Sequence, residues 1–493
     1  MILKPTKEQE RVYLFVKKRP ENLLIEAFAG CGKTTTILEA VKLIPPDKSV
    51  MFLAFNKHIQ EELKTKLPQH VRCYTTYGLG LSALKRKYGD KIVFDEFKLD
   101  KHIKKKSKLW KLDDEFDNPN EIENYLSSIK KLVNLCRLSL TTKPDSIKYI
   151  SNLYDIKIYK PNDIKRVLKV LDSVTLDRDY YDFTDMIYLP AIDKGLWLFP
   201  QDYIFVDEVQ DINRAQQKLI EKSIKRDRKT KKVTGRLISI GDYFQGIYGF
   251  TGITDKTFNW FREYPNTKRL PLSISFRCSK AVIKEAQKIV PDIKARDDAP
   301  EGIVREGSVL SEAESGDFVL CRTTMPLVKL FFDFLGREKK ATIKGSDIGI
   351  QLIELIGKTN TLPELIQFWN HEIETFKNDL LDTGILNPRH HSGYVIMEDK
   401  INTLLFLAKL SNNVMDLKQK ILTIFSEKIE GIMLSTVHKV KGLEADRVFI
   451  IRPDLLPLTN VKDWQYVQEK NLEYVAITRA KNELVYDNVW TDE

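Results

Sequence analysis

Residues 22–34 read NLLIEAFAGCGKT. The apolar run ending in small residues predicts a buried strand that feeds a glycine turn, and residues 33–44, stopped by Pro45-Pro46, predict a helix. Glycines let the backbone fold into a cradle whose N–H groups point at phosphate. Lys33 then has the reach for β- and γ-phosphates, and the Thr34 hydroxyl has the position for a magnesium ion. Ala27 stands where loops of this kind generally carry their first glycine. Residues 49–55, SVMFLAF, predict the next buried strand. Strand, loop, helix and strand open a parallel α/β sheet.

A second anchor lies at Asp207-Glu208-Val209-Gln210-Asp211, directly after the apolar run YIFV at 203–206. A carboxylate at a strand end can hold magnesium through water, and a second can act as general base toward an attacking water. Asp207 is assigned to the metal and Glu208 to the water. Alone, such a cluster is more often a solvated loop; the phosphate loop upstream favours the chemical reading. A further strand, LISI at 237–240, is followed by Gly241-Asp242, Gln245 and Ile247-Tyr248-Gly249-Phe250. Gln245 is a candidate γ-phosphate sensor and Phe250 a candidate ring for a nucleobase, although in isolation a turn with a core aromatic is the simpler account. Arg277 and Arg479 are lone arginines that only a wider pattern singles out.

With 493 residues the chain has room for roughly three or four structural units. From about 83 to 175 glycine is nearly absent, lysine is dense, and apolar residues recur at helical spacing, as in IENYLSSIKKLVNLCRL. A second α/β region starts near 271, with apolar runs at 317–321, 431–435 and 447–451, and residues 346–426 are again mostly helical. The 79 basic and 69 acidic residues leave a net charge of +10, which favours polyanionic partners without requiring one. The basic run at 225–236 and Lys104-Lys105-Lys106 read more simply as solvated segments. Cys31, Cys73, Cys136, Cys278 and Cys321 are dispersed, as reduced thiols are, and His390-His391 lacks a third ligand at zinc spacing. No apolar run approaches the roughly 20 residues of a membrane span, and MILKPTKEQE has no signal-peptide core. A cytoplasmic protein without membrane contact, monomeric when isolated, is expected.

In order, these segments resemble the superfamily-1A DNA helicases of the UvrD/Rep/PcrA type. TKEQ with Gln9 matches the adenine-reading Q motif, and Ala27–Thr34 the Walker A loop. FLAFNKHIQEEL (52–63) and TTYGLGL (75–81) are similar to motifs Ia and Ib. DEVQD corresponds to motif II, GDYFQGIYGFTG (241–252) to motif III, and LSISFR (272–277) to motif IV. LSTVHKVKGLEADRVFI (434–450) resembles motif V, and EKNLEYVAITRAKNEL (469–484) motif VI.

The resemblance implies an α/β protein with two RecA-like P-loop domains, ATP between them, and a mainly helical insertion in each. Domain 1A would take 1–82 and 176–270, 1B 83–175, 2A 271–345 and 427–493, and 2B 346–426. ATP and Mg2+ are the implied ligands. Gln9, Ala29, Gly30, Cys31, Gly32, Lys33, Thr34, Thr35, Phe276 and Glu444 would contact nucleotide, with Gln9 and Phe276 on adenine and Glu444 on ribose. Thr34 and Asp207 would hold magnesium. Lys33, Asp207, Glu208, Gln245, Arg277 and Arg479 would serve catalysis, the two arginines at the γ-phosphate. Phe55, Asn56, Thr75, Tyr77, Phe250, Thr436 and His438 would meet DNA. Thr35, Tyr77, Phe250 and Thr251 depart from the residues usual in the family. The implied activity is 3′→5′ translocation on single-stranded DNA, with action at single/double-strand junctions, in repair, replication or recombination. The alternative is an ATP-gated regulatory subunit that works on a protein partner and unwinds little alone.

Overall fold

Parallel pairing joins the strand Asn22–Ala27 to Arg236–Gly241 on one side and to Thr267–Leu272 on the other. The computed structural model describes residues 4–89, 92–116, 119–156, 158, 162–253, 255–357, 361–382, 387–388, 391–459 and 461–490. The chain divides into two units. The first comprises Met1–Ala27, Lys33–Tyr243 and Tyr248–Leu272; the second comprises Phe28–Gly32, Phe244–Ile247 and Ser273–Glu493.

In the first unit the six strands run parallel in the order Val71–Thr75, Val50–Ala54, Tyr203–Val206, Arg236–Gly241, Asn22–Ala27, Thr267–Leu272. Val50–Ala54 and Arg236–Gly241 are buried along their whole length, as strands covered on both faces must be, which explains their unbroken apolar runs. The order has a functional consequence. Asn22–Ala27 and Tyr203–Val206 flank the single strand Arg236–Gly241, so their C-terminal ends open on one edge about 10 Å apart. Glu26 is level with Gly241, and Val206 with Ser239. The end of the strand Asn22–Ala27, the acidic pair and Gly241-Asp242 therefore emerge side by side.

The helices Lys98–Ser107, Pro119–Ser139, Pro144–Leu153 and Asp163–Leu176 enclose their own apolar cluster, which runs from Leu84 to Leu196. Tyr181, Leu189 and Leu196, beyond residue 175, belong to it. A short parallel ribbon, Val93–Phe94 with Tyr180–Tyr181, was not evident from the helical periodicity. Inside this layer Arg137, fully buried, donates to both oxygens of Asp182 at 2.7 Å and to Asp185 Oδ1 at 2.7 Å. Lys98, 1% exposed, reaches Asp185 Oδ2 at 2.7 Å. Two cations and two carboxylates thus pair with one another away from solvent. Of the basic run at 225–236, residues 225–234 form an exposed turn, in which Arg226 bridges Val233 and Asp227 Oδ1 accepts from the amides of Lys229 and Thr230, whereas Arg236 is buried at the start of its strand and donates to Glu21 O and Val16 O.

The second unit holds seven parallel strands in the order Ile303–Glu306, Ala480–Asp487, Ala445–Ile451, Phe318–Cys321, Ile432–Thr436, Ala341–Lys344, Phe425–Ser426. Trp369, Leu404, Leu407 and Leu417, from the helices Leu362–Asp382, Ser392–Lys409 and Val414–Ile424, share one core with Val319, Leu434 and Phe449 of that sheet. The helix Ser392–Lys409 also caps its neighbour: Asp399 accepts from the amides of Thr324 and Met325 at the start of Met325–Gly336. No described helix is long and apolar enough to cross a membrane.

Candidate nucleotide and nucleic-acid site

The glycine loop turns through Gly30 and Gly32, both left-handed at φ 71° and 74°, where a side chain would be strained. The helix Lys33–Lys42 follows at once, and its first amides have no partner within the helix. Thr34 and Thr35 lie exposed on that first turn, whereas Thr36 is buried. The Thr36 hydroxyl accepts from Gln9 Nε2 at 2.9 Å. Gln9 also completes a capping box with Thr6 at the start of the helix Lys7–Lys18. One of its two amide hydrogens and one carbonyl lone pair are used in this way.

Asp207 leaves the end of its strand 3% exposed, and its Oδ1 accepts from the Glu208 amide at 2.9 Å. Glu208 adopts φ 50°, an uncommon conformation for a residue with a side chain. Its carboxylate meets Lys33 Nζ at 3.2 Å. The same Oε2 accepts from Gln210 Nε2, and Gln210 Oε1 in turn accepts from the Asp242 amide at 3.0 Å. Gly241 is required here: a Cβ on it would stand 2.5 Å from Gln210 Oε1.

Burial, then the neighbouring charge of Glu208, pushes the Asp207 carboxyl up to about 7. Because the folded value lies above the ordinary value of 3.8, the stability this group leaves intact at low pH is lost as pH climbs from about 4 to about 7. Asp207→Asn carries no charge to bury. At pH 8, in chelated protein, it is expected to melt at a higher temperature than the parent, with the gap closing by pH 4. Equal melting temperatures at pH 8 would remove the electrostatic account of this pair.

Within the second unit, Arg277 Nε donates to Glu444 Oε2 at 2.5 Å, and Lys481 Nζ reaches Glu444 Oε1 at 3.2 Å. Arg479 is fully buried and donates to Val475 O, Leu443 O and Thr478 Oγ1, all uncharged oxygens. Burial, then the cation of Arg277, pulls it down to about 9. Phe276 is half-buried, with the Arg296 guanidinium 5.6 Å from its ring centre. The Tyr474 hydroxyl accepts from Ala29 N at 2.9 Å, and Cys31 is buried with its thiol on Phe28 O. Gln245 is 6% exposed, and its carbonyl accepts from Lys441 Nζ at 2.7 Å.

The candidate DNA residues fall into different settings. Phe55 is 37% exposed and stacks near-parallel with Tyr248, ring centres 6.5 Å apart. Asn56 and Thr75 cap the helices Lys57–Lys66 and Thr76–Tyr88, their side-chain oxygens accepting from Ile59 N and Gly78 N. Tyr77 packs half-buried against the apolar cluster that includes Leu53 and Leu79. Thr436 ends its strand 8% exposed. At His438, burial, then the cations Arg322 and Lys439, pushes the imidazole down to about 3, so it is neutral at physiological pH. The Phe250 side chain and His390 lie outside the described residues. Among the described residues, no cluster of three or more histidines, cysteines or carboxylates has the makings of a metal site.

Residues 6–265, more than half of the chain, match the family model for the UvrD/REP helicase N-terminal domain. The chain belongs to the UvrD/REP helicase family. Residues 358–487 match the UvrD-like helicase C-terminal domain. The chain is 27% identical to F-box DNA helicase protein 1 of Schizosaccharomyces pombe, over 99% of this chain and 58% of that protein. It is 25% identical to F-box DNA helicase 1 of Gallus gallus, over 97% and 48% respectively. To ATP-dependent DNA helicase PcrA of Bacillus subtilis it is 22% identical, over 56% and 38%. The chain thus spans about half the length of the first of these relatives.

In this UvrD-like chain the two parallel α/β sheets are RecA-like folds. Three residues of the site escaped the sequence reading. Gln210 within DEVQD, Tyr248 within IYGF and Asp242 after the strand LISI carry no role that their local sequence signals. Gln210 holds the Glu208 carboxylate, Asp242 supplies the amide that orients Gln210, and Tyr248 supports Phe55. The pairing of Gln210 with Asp242 spans 32 positions and has no local signal.

Proposed function

We propose that this chain is an ATP-dependent DNA helicase or translocase that moves 3′→5′ along single-stranded DNA. The observation that carries the reading is the contact of Lys33 with Glu208 at 3.2 Å, which joins a phosphate-loop cation to a carboxylate at the open edge of one parallel sheet. A γ-phosphate entering the loop competes for Lys33. Glu208 is then released toward water as general base, still steered by Gln210. Magnesium, when bound, would be held by Thr34 and through water by Asp207, and would neutralise charge on the phosphates. Asp207 suits that role, since burial disfavours its anion until a cation is near. Gln9 and Phe276 are assigned to adenine, Glu444 to ribose, and Arg277 and Arg479 to sensing the γ-phosphate. The segments 83–175 and 346–426 are assigned as the insertions 1B and 2B.

Purified protein is expected to hydrolyse ATP faster with single-stranded oligonucleotide than without it, most clearly below about 50 mM salt, where phosphate contacts are strongest. Lys33→Ala is expected to lose turnover in both conditions. Duplexes with 3′ or 5′ tails then test direction, and unwinding only from 5′ tails overturns the polarity. A second reading is an ATP-gated regulatory subunit that controls a protein partner and unwinds little alone. DNA-stimulated hydrolysis without strand separation from either tail would favour it.

A further inference from the structure

In the first unit, a cleft of about 460 Å3 opens between the helix Pro144–Leu153 and the helices Arg214–Ser223 and Asp255–Arg262. Its volume lies within the roughly 300–1,000 Å3 of small-ligand sites. Tyr149, Tyr154, Arg214, Gly252, Lys256 and Trp260 line it. Two cation-on-ring pairs lie along its walls. Lys256 Nζ is 5.4 Å from the centre of the Tyr149 ring, and the Arg214 guanidinium is 6.0 Å from that of Trp260. Tyr149 is 55% exposed, whereas Trp260 is wedged edge-on against Phe261 and Tyr264. The walls are tied together, with Gln217 Nε2 donating to Thr257 O at 2.6 Å.

The cleft adjoins the turn that carries the DNA candidate Phe250. Gly252, in the cleft wall, closes the turn Gly249–Thr251. Aromatic faces for bases, with cations for the adjoining phosphates, are what single-stranded nucleic acid requires. We propose that this cleft seats a base of the single strand beyond the contact at Gly249–Thr251, and so extends the site by at least one nucleotide. The inference rests on the single-strand reading above.

The test uses Tyr149→Ala and Lys256→Glu, both at exposed positions, with labelled oligothymidylates of about 6 and about 16 nucleotides. Tyr149→Ala is expected to weaken binding of the longer strand about tenfold and to leave the shorter unchanged. Lys256→Glu is expected also to flatten the salt dependence on the longer strand by about 0.7 in log–log slope. Equal affinities of parent and variants at both lengths would overturn the proposal while leaving the single-strand reading intact. A defect confined to duplex DNA would overturn it as well, assigning the cleft to duplex. If the unaltered protein binds no oligonucleotide, both readings fall together.

Discussion

Glu208→Gln is expected to lower ATP turnover by about 10²–10⁴, the range for loss of a positioned general base, while nucleotide still binds. The substitution keeps the size of the side chain and the left-handed backbone at φ 50°. It removes the charge that meets Lys33, keeps one oxygen that can accept from Gln210, and leaves an amide that cannot take a proton from water. Lys33, freed of its partner, meets incoming phosphate without competition, so affinity for ATP should hold or rise. Steady-state hydrolysis and the binding of a fluorescent ATP analogue, measured together, separate the two effects. Turnover near the parent value would take the general-base role from Glu208. Weak binding with unchanged turnover would instead make Glu208 a partner that shapes the loop.

Arg137→Ala is expected to cost about 3–5 kcal/mol of stability, because it strands carboxylates in a dry interior. Arg137 is fully buried and makes three charged hydrogen bonds of 2.7 Å. Without it, Asp182 keeps no strong cation and Asp185 keeps only Lys98. In the parent, the Arg137 pairing outweighs burial and holds Asp182 below the usual carboxylate range. That contribution is present above about pH 4 and is lost as pH falls through the lowered value. In the variant the balance reverses, since protonation relieves the buried anion. The deficit should therefore shrink as pH drops from 7 toward 4. Urea unfolding at several pH values checks both statements, and a deficit below about 1 kcal/mol at pH 7 would mean that water reaches the cluster.

What could be read from the sequence follows from burial. The strands 22–27, 50–54, 203–206 and 236–241 are covered on both faces and show as apolar runs. Thr267–Leu272 and Ile303–Glu306 are edge strands, partly exposed and charged, and carry no such mark. Ala480–Asp487 was hidden for another reason: its residues AKNELVYD overlap the motif VI resemblance, which drew attention to Arg479 instead. At the site, the glycine loop was legible because its two left-handed turns demand glycine. The acidic pair was legible because a strand end followed by adjacent carboxylates is a local pattern. The caps at Asn56 and Thr75 are local too, yet the family resemblance directed them toward DNA. Gln210 and the charge cluster around Arg137 depend on partners tens of residues away, which no window of sequence contains.

The strand order of the first sheet also constrains how the protein is made. Leu23 pairs with Ile238 and Asn22 with Thr267, so the opening strand waits for more than two hundred residues before either neighbour exists. At roughly 5–20 residues per second on the ribosome, that wait lasts some tens of seconds. Through this interval an apolar segment with unfilled backbone bonds is exposed to chaperones and to other nascent chains. The helical layer from Leu84 to Leu196 has nearer partners and can condense first, forming a folded block around which the sheet later closes. A ribosome pause placed before residue 236 should lengthen the vulnerable window, whereas one after residue 272 should not.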